Sequence, residues 1–508
     1  MTATYCWMTP HDTPLHSKDN SMLKHALATA LITLSISTLV SADGPVPTAR
    51  PIPLTRDEMK RMLEDLKSRP IRIPLPELTD KDREALGERA DNYEGRLRYH
   101  YLPAGEGSVF GGRPPGGGAT GGAPRPPRGD APGPATPARD FTRNGDENMT
   151  LSYSFKTMLF WIVARTNNCQ YCLGHQEQKL SAAGMTEEQI AALDFDWKRF
   201  TPAEQAAFAY ARKITYSPHQ LGDADIDTLR KHYTDSQILE MTMSTAGNNA
   251  INRWKEGAGI PQSQSGASFF RRAENLPQGR PVPNESFLTP TPAEFTKSLS
   301  QVVPVSLDAA GLPSQIAVST RPALESRAEV EAALAAARMR KSRLPLQTEE
   351  DVRKVWSADI PEGPVPNWMR LLALFPNEGR GRLNSLLAMT TQRGDLSLVM
   401  KAQVSWIIAR QDRAWYAAGG AQAQLRKLGQ SDEQVYALDG DWHEFTAEER
   451  ALFRFARNLA MAPIALTDAD VEEALKLAGP RKVVQLVNFV TSRAYFDRVT
   501  EAAGLPLE

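Results

Sequence analysis

Residues 154–175 read SFKTMLFWIVARTNNCQYCLGH, and residues 399–420 read VMKAQVSWIIARQDRAWYAAGG. Aligned on Trp161–Arg165 and Trp406–Arg410, the two stretches are displaced by 245 residues. Residues 154–166 are apolar over more than a strand's usual length and lack period-two alternation, so they predict a buried helix. Asn167 and Asn168 interrupt it, and Cys169 starts the next helix. In the alignment Cys169 faces Ala414, Cys172 faces Ala417 and His175 faces Gly420. The scaffold recurs without these three residues, so the trio reads as an added chemical site on a fold that manages without it.

The match runs on without a gap. Leu193–Asp194 meets Leu438–Asp439, Asp196–Trp197 meets Asp441–Trp442, Phe208 meets Phe453, and Gly259 and Pro261 meet Gly504 and Pro506. Upstream a weaker match continues at a displacement of 271, where Arg56 and Glu58 face Arg327 and Glu329 and Pro74–Leu75 faces Pro345–Leu346. The first copy therefore holds 26 additional residues between the matched blocks, and the Pro/Gly-rich residues 102–140 lie in that interval. Such a composition sustains neither a helix nor a strand ladder and reads as a disordered insertion. Residues 263–320, rich in Pro and Ser, read as a linker. The expected organisation is thus two tandem repeats, residues 50–262 and residues 321–508, the second degenerate.

The remaining periodicity is helical. Residues 55–67 place Met59, Met62, Leu63 and Leu66 on one face. Thr186 with Gln189, and Thr201 with Glu204 behind Pro202, have the pattern of capping boxes. Asp223–Tyr233 and Ser236–Trp254 supply two further helices. The expected class is all-α. Trp161, Trp197, Trp406 and Trp442 recur in both copies and read as core. Arg165 and Arg410 read as cations at helix C-termini or as members of an inter-domain ion pair, and Asp194 and Asp196 as loop or cap residues.

The chain has 508 residues, with 59 Lys plus Arg against 60 Asp plus Glu, and this balance argues against nucleic acid as a partner. Residues 22–42, MLKHALATALITLSISTLVSA, have the pattern of a signal peptide ending in small residues, and Met22 is a candidate start. Removal of residues 1–42 would export the protein and remove Cys6, leaving Cys169 and Cys172 as the remaining cysteines of three. In an exported compartment a lone Cys-X-X-Cys readily cycles through a disulfide.

A cysteine at a helix start feels the positive end of the dipole, which favours its thiolate. Cys172, three residues on, can share that helix face and close a disulfide. His175, three residues further, shares a face with Cys172 and suits it as proton acceptor or imidazolium partner. Structural zinc would need four ligands, and there is no second Cys-X-X-Cys to supply them, with His219 and His232 isolated. Haem attachment wants a histidine directly after the second cysteine, where Leu173 stands. No cofactor or metal is expected.

NNCQYCLGH after an apolar helix, with GNNAINRWKEGAGIP at Gly247–Pro261, resembles the carboxymuconolactone decarboxylase and alkylhydroperoxidase D superfamily. The resemblance implies an all-helical, often oligomeric protein, here with two alkylhydroperoxidase D-like units. Redox members of that superfamily reduce peroxides through a cysteine pair. By analogy Cys172 would meet a hydroperoxide, Cys169 would resolve it as a disulfide, and a thiol or disulfide partner would return the electrons. This chain departs from the redox pattern twice. Two residues instead of three separate Cys172 from His175, and the relay glutamate's position holds Thr157, leaving Glu177 as a weak substitute. A binding or structural protein without turnover, and a cofactor-free decarboxylase-like enzyme, remain the alternatives.

Overall fold

The computed structural model describes Pro53 and residues 55–103, 146–262 and 324–508, apart from 358–359 and 361. The leader-like residues 22–42, residues 104–140 of the Pro/Gly stretch and the linker 263–320 lie outside the described residues. The described residues form eighteen α-helices and no strand, so the all-α expectation holds.

The N-terminal half contributes α1 (Arg56–Asp65), α2 (Asp80–Leu86), α3 (Tyr93–Tyr101), α4 (Tyr153–Asn167), α5 (Gln170–Ala182), α6 (Glu187–Phe195), α7 (Pro202–Tyr216), α8 (Asp223–Arg230) and α9 (Asp235–Gly257). The C-terminal half contributes α10 (Arg327–Arg338), α11 (Glu349–Trp356), α12 (Asn367–Leu372), α13 (Pro376–Met389), α14 (Leu398–Asp412), α15 (Trp415–Lys427), α16 (Asp432–Ala437), α17 (Ala447–Met461) and α18 (Asp468–Ala502). α18 bends at Gly479, whose φ of 78° lies in the left-handed region just before Pro480.

Local chemistry explains the boundaries. α6 and α7 start at the two capping boxes the sequence predicts, with Pro202 opening α7. α4 ends at Asn168, which adopts φ 50° and ψ 42°, a left-handed conformation that asparagine tolerates better than most residues. The amides of Asn168 and Cys169 close back on the carbonyls of Arg165 and Ala164 at 3.1 and 2.9 Å. This turn feeds the chain straight into α5. Arg413 takes the same conformation between α14 and α15, with φ 51°. That geometry is costly for a residue of its size, and ion pairing to Glu325 holds it.

Helices and contacts recur at the 245-residue spacing. α4 and α14 each have 15 residues, and α5 and α15 each have 13. Trp161 Nε1 donates to Asp194 at 2.7 Å, and Trp406 Nε1 to Asp439 at 2.9 Å. The guanidinium of Arg212 lies 4.6 Å from the Trp197 ring, and that of Arg457 lies 4.7 Å from Trp442.

The described residues belong to one compact unit, and the two halves interlock within it. The core around Trp161 takes in Leu344, Trp356, Phe375 and Leu383 from the C-terminal half. The core around Trp406 takes in Ile73, Leu97, Leu102 and Trp254 from the N-terminal half. α9 against α18 is the most extensive helix pair. Polar contacts across the junction are reciprocal. Arg253 Nη2 donates to the Ala460 carbonyl at 2.6 Å, and Arg498 Nη2 to the Thr215 carbonyl at 3.0 Å. Arg72 pairs with Asp468, and Arg343 with Asp223. Such reciprocity characterises a twofold interface between subunits; here it lies within one chain.

Candidate functional site

Cys169 is the N-cap of α5, and its Sγ accepts the Cys172 amide at 3.4 Å. The two sulfurs form a disulfide, with Cα atoms 5.3 Å apart. Both residues are buried, Cys169 to 0 % and Cys172 to 1 % exposure. The spacing of three puts both sulfurs at one helix start because an extended cap residue and the first-turn residue three positions on face each other there.

His175 is half-buried one turn further along α5, its ring centred 5.1 Å from that of Tyr171. Burial, reinforced by the charges of Lys179 and Lys255, holds its pKa well below the usual histidine value near 6.5. The imidazole is thus neutral at physiological pH and able to accept a proton. Lys255 Nζ lies 4.4 Å from the Tyr171 ring centre and pairs with Glu94. Glu94 also binds Arg98 and Trp254, at 3.0 and 2.6 Å. Burial would raise the Glu94 pKa, but Lys255 and Arg98 outweigh it and bring it down to about 2. No local sequence signal marks Tyr171, Lys255 or Glu94, because their meeting depends on α3 reaching α9 and α9 packing against α5.

The depressed His175 pKa has a consequence for stability. An unfolded histidine binds its proton near pH 6.5, before the folded one does, so stability falls as pH drops below that value. Between about pH 7 and pH 5, wild type should lose more stability than His175→Gln, by at most about 1.4 kcal/mol per pH unit. Urea unfolding of both proteins at the two pH values measures this; parallel pH dependences would contradict it.

The carboxylates are placed differently from the sequence expectation. Thr157 donates its hydroxyl to the Tyr153 carbonyl at 2.8 Å. Glu177 belongs to a buried ion cluster, 3.0 Å from Arg56. Burial raises its pKa despite that arginine, and its Oε2 has no hydrogen-bond partner. Arg56 also reaches Glu187 at 2.8 Å and Asp194 at 3.6 Å. The carboxylate that reaches the first turn of α5 is Glu256, which accepts the Tyr171 amide at 3.5 Å and pairs with Arg69 at 3.4 Å. Glu501 does the same in the C-terminal half, with the Trp415 amide at 3.1 Å and Arg340 at 2.8 Å. Because the cysteine-free half keeps it, this carboxylate acts as an anchor for the helix start.

Other residues also change role. Asp194 is buried and binds Trp161 and Arg165, so it is a core counter-ion where a loop cap was expected. Its acceptor capacity explains the placement, since a buried indole N–H and a buried guanidinium both need a partner. Arg165 and Arg410 keep their expected places in the last turns of α4 and α14, and are in addition buried ion-pair partners of Asp194 and Asp439. Asn249 joins a polar network with Asn167 at 2.9 Å and Thr215 at 2.9 Å, fixing the end of α4 just before the cysteines.

Among the described residues, no group of three or more His, Cys, Asp or Glu side chains is arranged to hold a metal ion. No described helix is long and apolar enough to cross a membrane. The chain matches none of the curated proteins compared with it. Residues 145–213, which contain α4 to α7 up to residue 213 and so include Cys169, Cys172 and His175, match the model of the carboxymuconolactone decarboxylase family. That match, on an all-α scaffold, supports placing this segment in the carboxymuconolactone decarboxylase and alkylhydroperoxidase D superfamily.

Proposed function

We propose that the protein is a thiol-dependent peroxidase or disulfide oxidoreductase whose reacting groups are Cys169 and Cys172, exported by the leader-like residues 22–42. The observation that carries this reading is the Cys169–Cys172 disulfide at the start of α5. The Cys172 thiolate attacks the terminal oxygen of a hydroperoxide, giving an alcohol and a Cys172 sulfenic acid. The Cys169 thiol then displaces water from that sulfenic acid and forms the disulfide. Two thiols of a donor return the pair to its reduced form and leave as a disulfide. Neutral His175, one helical turn from Cys172, takes the thiol proton in the first step. The recurring helices and the reciprocal contacts support reading residues 50–262 and 321–508 as two copies of one helical unit, the second without the cysteines. Such a fusion mimics a homodimer.

The test is peroxide consumption with a dithiol donor. Wild type is expected to turn over hydroperoxide, and Cys172→Ala to be inactive. Cys169→Ala should accumulate a sulfenic acid on Cys172 that dimedone traps. No peroxide-dependent thiol loss in reduced wild type would overturn the reading. The near-complete burial of both cysteines favours a second reading, a scaffold protein with an inert disulfide, and the same assay decides between them.

A further inference from the structure

The C-terminal half contains a cavity of about 270 Å³ at the place matched, 245 residues on, to the cysteines and histidine. Ala417 and Gly420 line it where the N-terminal half has Cys172 and His175. The neighbouring positions shrink in the same direction: Thr157 becomes Ala402, Phe160 becomes Ser405 and Gln176 becomes Ala421, all three lining the cavity. Gly420 is exposed, and a Cβ built on it meets no atom within 4 Å, so it lies at the open mouth of the cavity. Replacement of side chains inside a packed helical layer is destabilising unless the space is refilled. Against these five losses on α14 and α15, α18 places Phe489, Arg493 and Phe496 where α9 has Ser244, Asn248 and Ile251, so the pocket is rebuilt with aromatic and cationic walls.

The charge of the lining has changed as well. Lys156 pairs with Glu240 at 2.8 Å in the N-terminal half. At the matched positions Lys401 remains and Gln485 replaces the glutamate; the Lys401 ammonium is held by the carbonyls of Thr391 and Arg393 at 3.0 and 3.4 Å. Asn248 is matched by Arg493, whose guanidinium stacks 4.5 Å from the Phe496 ring and whose Nε is buried without a hydrogen-bond partner. Arg493 Nη2 pairs with Asp497 at 3.2 Å. The one carboxylate in the lining, Glu508, accepts the Tyr416 hydroxyl at 2.9 Å and the Asn367 amide at 2.6 Å. Trp368, Phe489 and Phe496 supply aromatic walls. Two cations, one satisfied carboxylate and aromatic walls in a small cavity suit an anion with a flat apolar body.

We propose that this cavity binds a small aromatic or unsaturated monocarboxylate, its carboxylate on Arg493 and its apolar body between Phe489 and Phe496. The site is independent of the redox reading, since neither cysteine lines it. The probe is cinnamate, titrated calorimetrically into the full-length protein, with cinnamamide as the uncharged analogue. Cinnamate is expected to bind at least about tenfold more tightly than cinnamamide, a difference of about 1.4 kcal/mol. Gly420→Leu places a branched side chain across the mouth of the cavity and is expected to weaken binding of both compounds at least about tenfold. Arg493→Met should remove the preference for the acid while leaving the amide's affinity unchanged. Cys172→Ala should bind cinnamate like wild type, which separates this proposal from the fate of the peroxidase reading. Equal affinity for acid and amide, undisturbed binding in Gly420→Leu, or no binding of cinnamate at millimolar concentration would each overturn it.

Discussion

Severed between residues 262 and 324, each half is expected to be insoluble or unfolded alone and to recover its fold when both are expressed together. The interlocked cores carry this expectation. Without the C-terminal half, the core around Trp161 loses Leu344, Trp356, Phe375 and Leu383, all buried to 2 % exposure or less. Burial of each such side chain contributes about 1.5–3 kcal/mol, and a typical domain has only about 5–15 kcal/mol in total. Arg253 would also lose the Ala460 carbonyl that its buried guanidinium binds, and a buried charge left without its acceptor is costly. The reverse cut exposes the core around Trp406 where Ile73, Leu97, Leu102 and Trp254 now cover it. Size-exclusion chromatography and circular dichroism of each fragment, alone and coexpressed, measure the outcome. A monomeric N-terminal fragment with cooperative unfolding would contradict the interlocked architecture.

Arg56→Leu is expected to cost about 3–5 kcal/mol, the range for removing one member of a buried charge group. Arg56 is wholly buried and is the common partner of Glu177, Glu187 and Asp194. Those three carboxylates converge on this cation, while Lys60 reaches Glu187 at 2.7 Å and Arg165 reaches Asp194 at 3.2 Å. Without Arg56, Glu177 must stay protonated or bury an uncompensated charge. The matched Arg327 offers an internal control. Its side chain is 47 % exposed and pairs with Glu331 at 2.9 Å, an exposed pair of the kind that contributes within about 1 kcal/mol. Urea midpoints of Arg56→Leu and Arg327→Leu should therefore differ widely. Equal midpoints would show that the cluster around Arg56 contributes little.

The contrast between these two arginines shows what a sequence can and cannot reveal here. The all-α class, the capped starts of α6 and α7, and the break at Asn168 were legible because helix periodicity, caps and left-handed asparagine are local properties. The pairing of Cys169 and Cys172 was legible for the same reason, since a spacing of three at a helix start fixes the geometry by itself. The burial of Arg56 was not legible. On α1 it is in register with the buried Met59 and Leu63, but its charge alone reads as solvated, and only the approach of Glu177 on α5 and of Glu187 and Asp194 on α6 gives it an interior site. Asp194 illustrates the same point, as a turn-like Asp-Phe-Asp-Trp run that folding converts into a core counter-ion. The exchange of core residues between the halves was likewise hidden, because the displacement of 245 aligns like with like but does not say which half covers which.

The direct test of a redox role for Cys169 and Cys172 is the equilibrium reduction potential of their disulfide, read by trapping free thiols in graded glutathione buffers. A pair that cycles must be reducible by an ordinary thiol donor, so its potential is predicted to lie above about −300 mV, in the range of catalytic disulfides. A disulfide that stays closed throughout the glutathione series, with a potential below that bound, would contradict a catalytic pair and leave the bond as a fixed part of the scaffold.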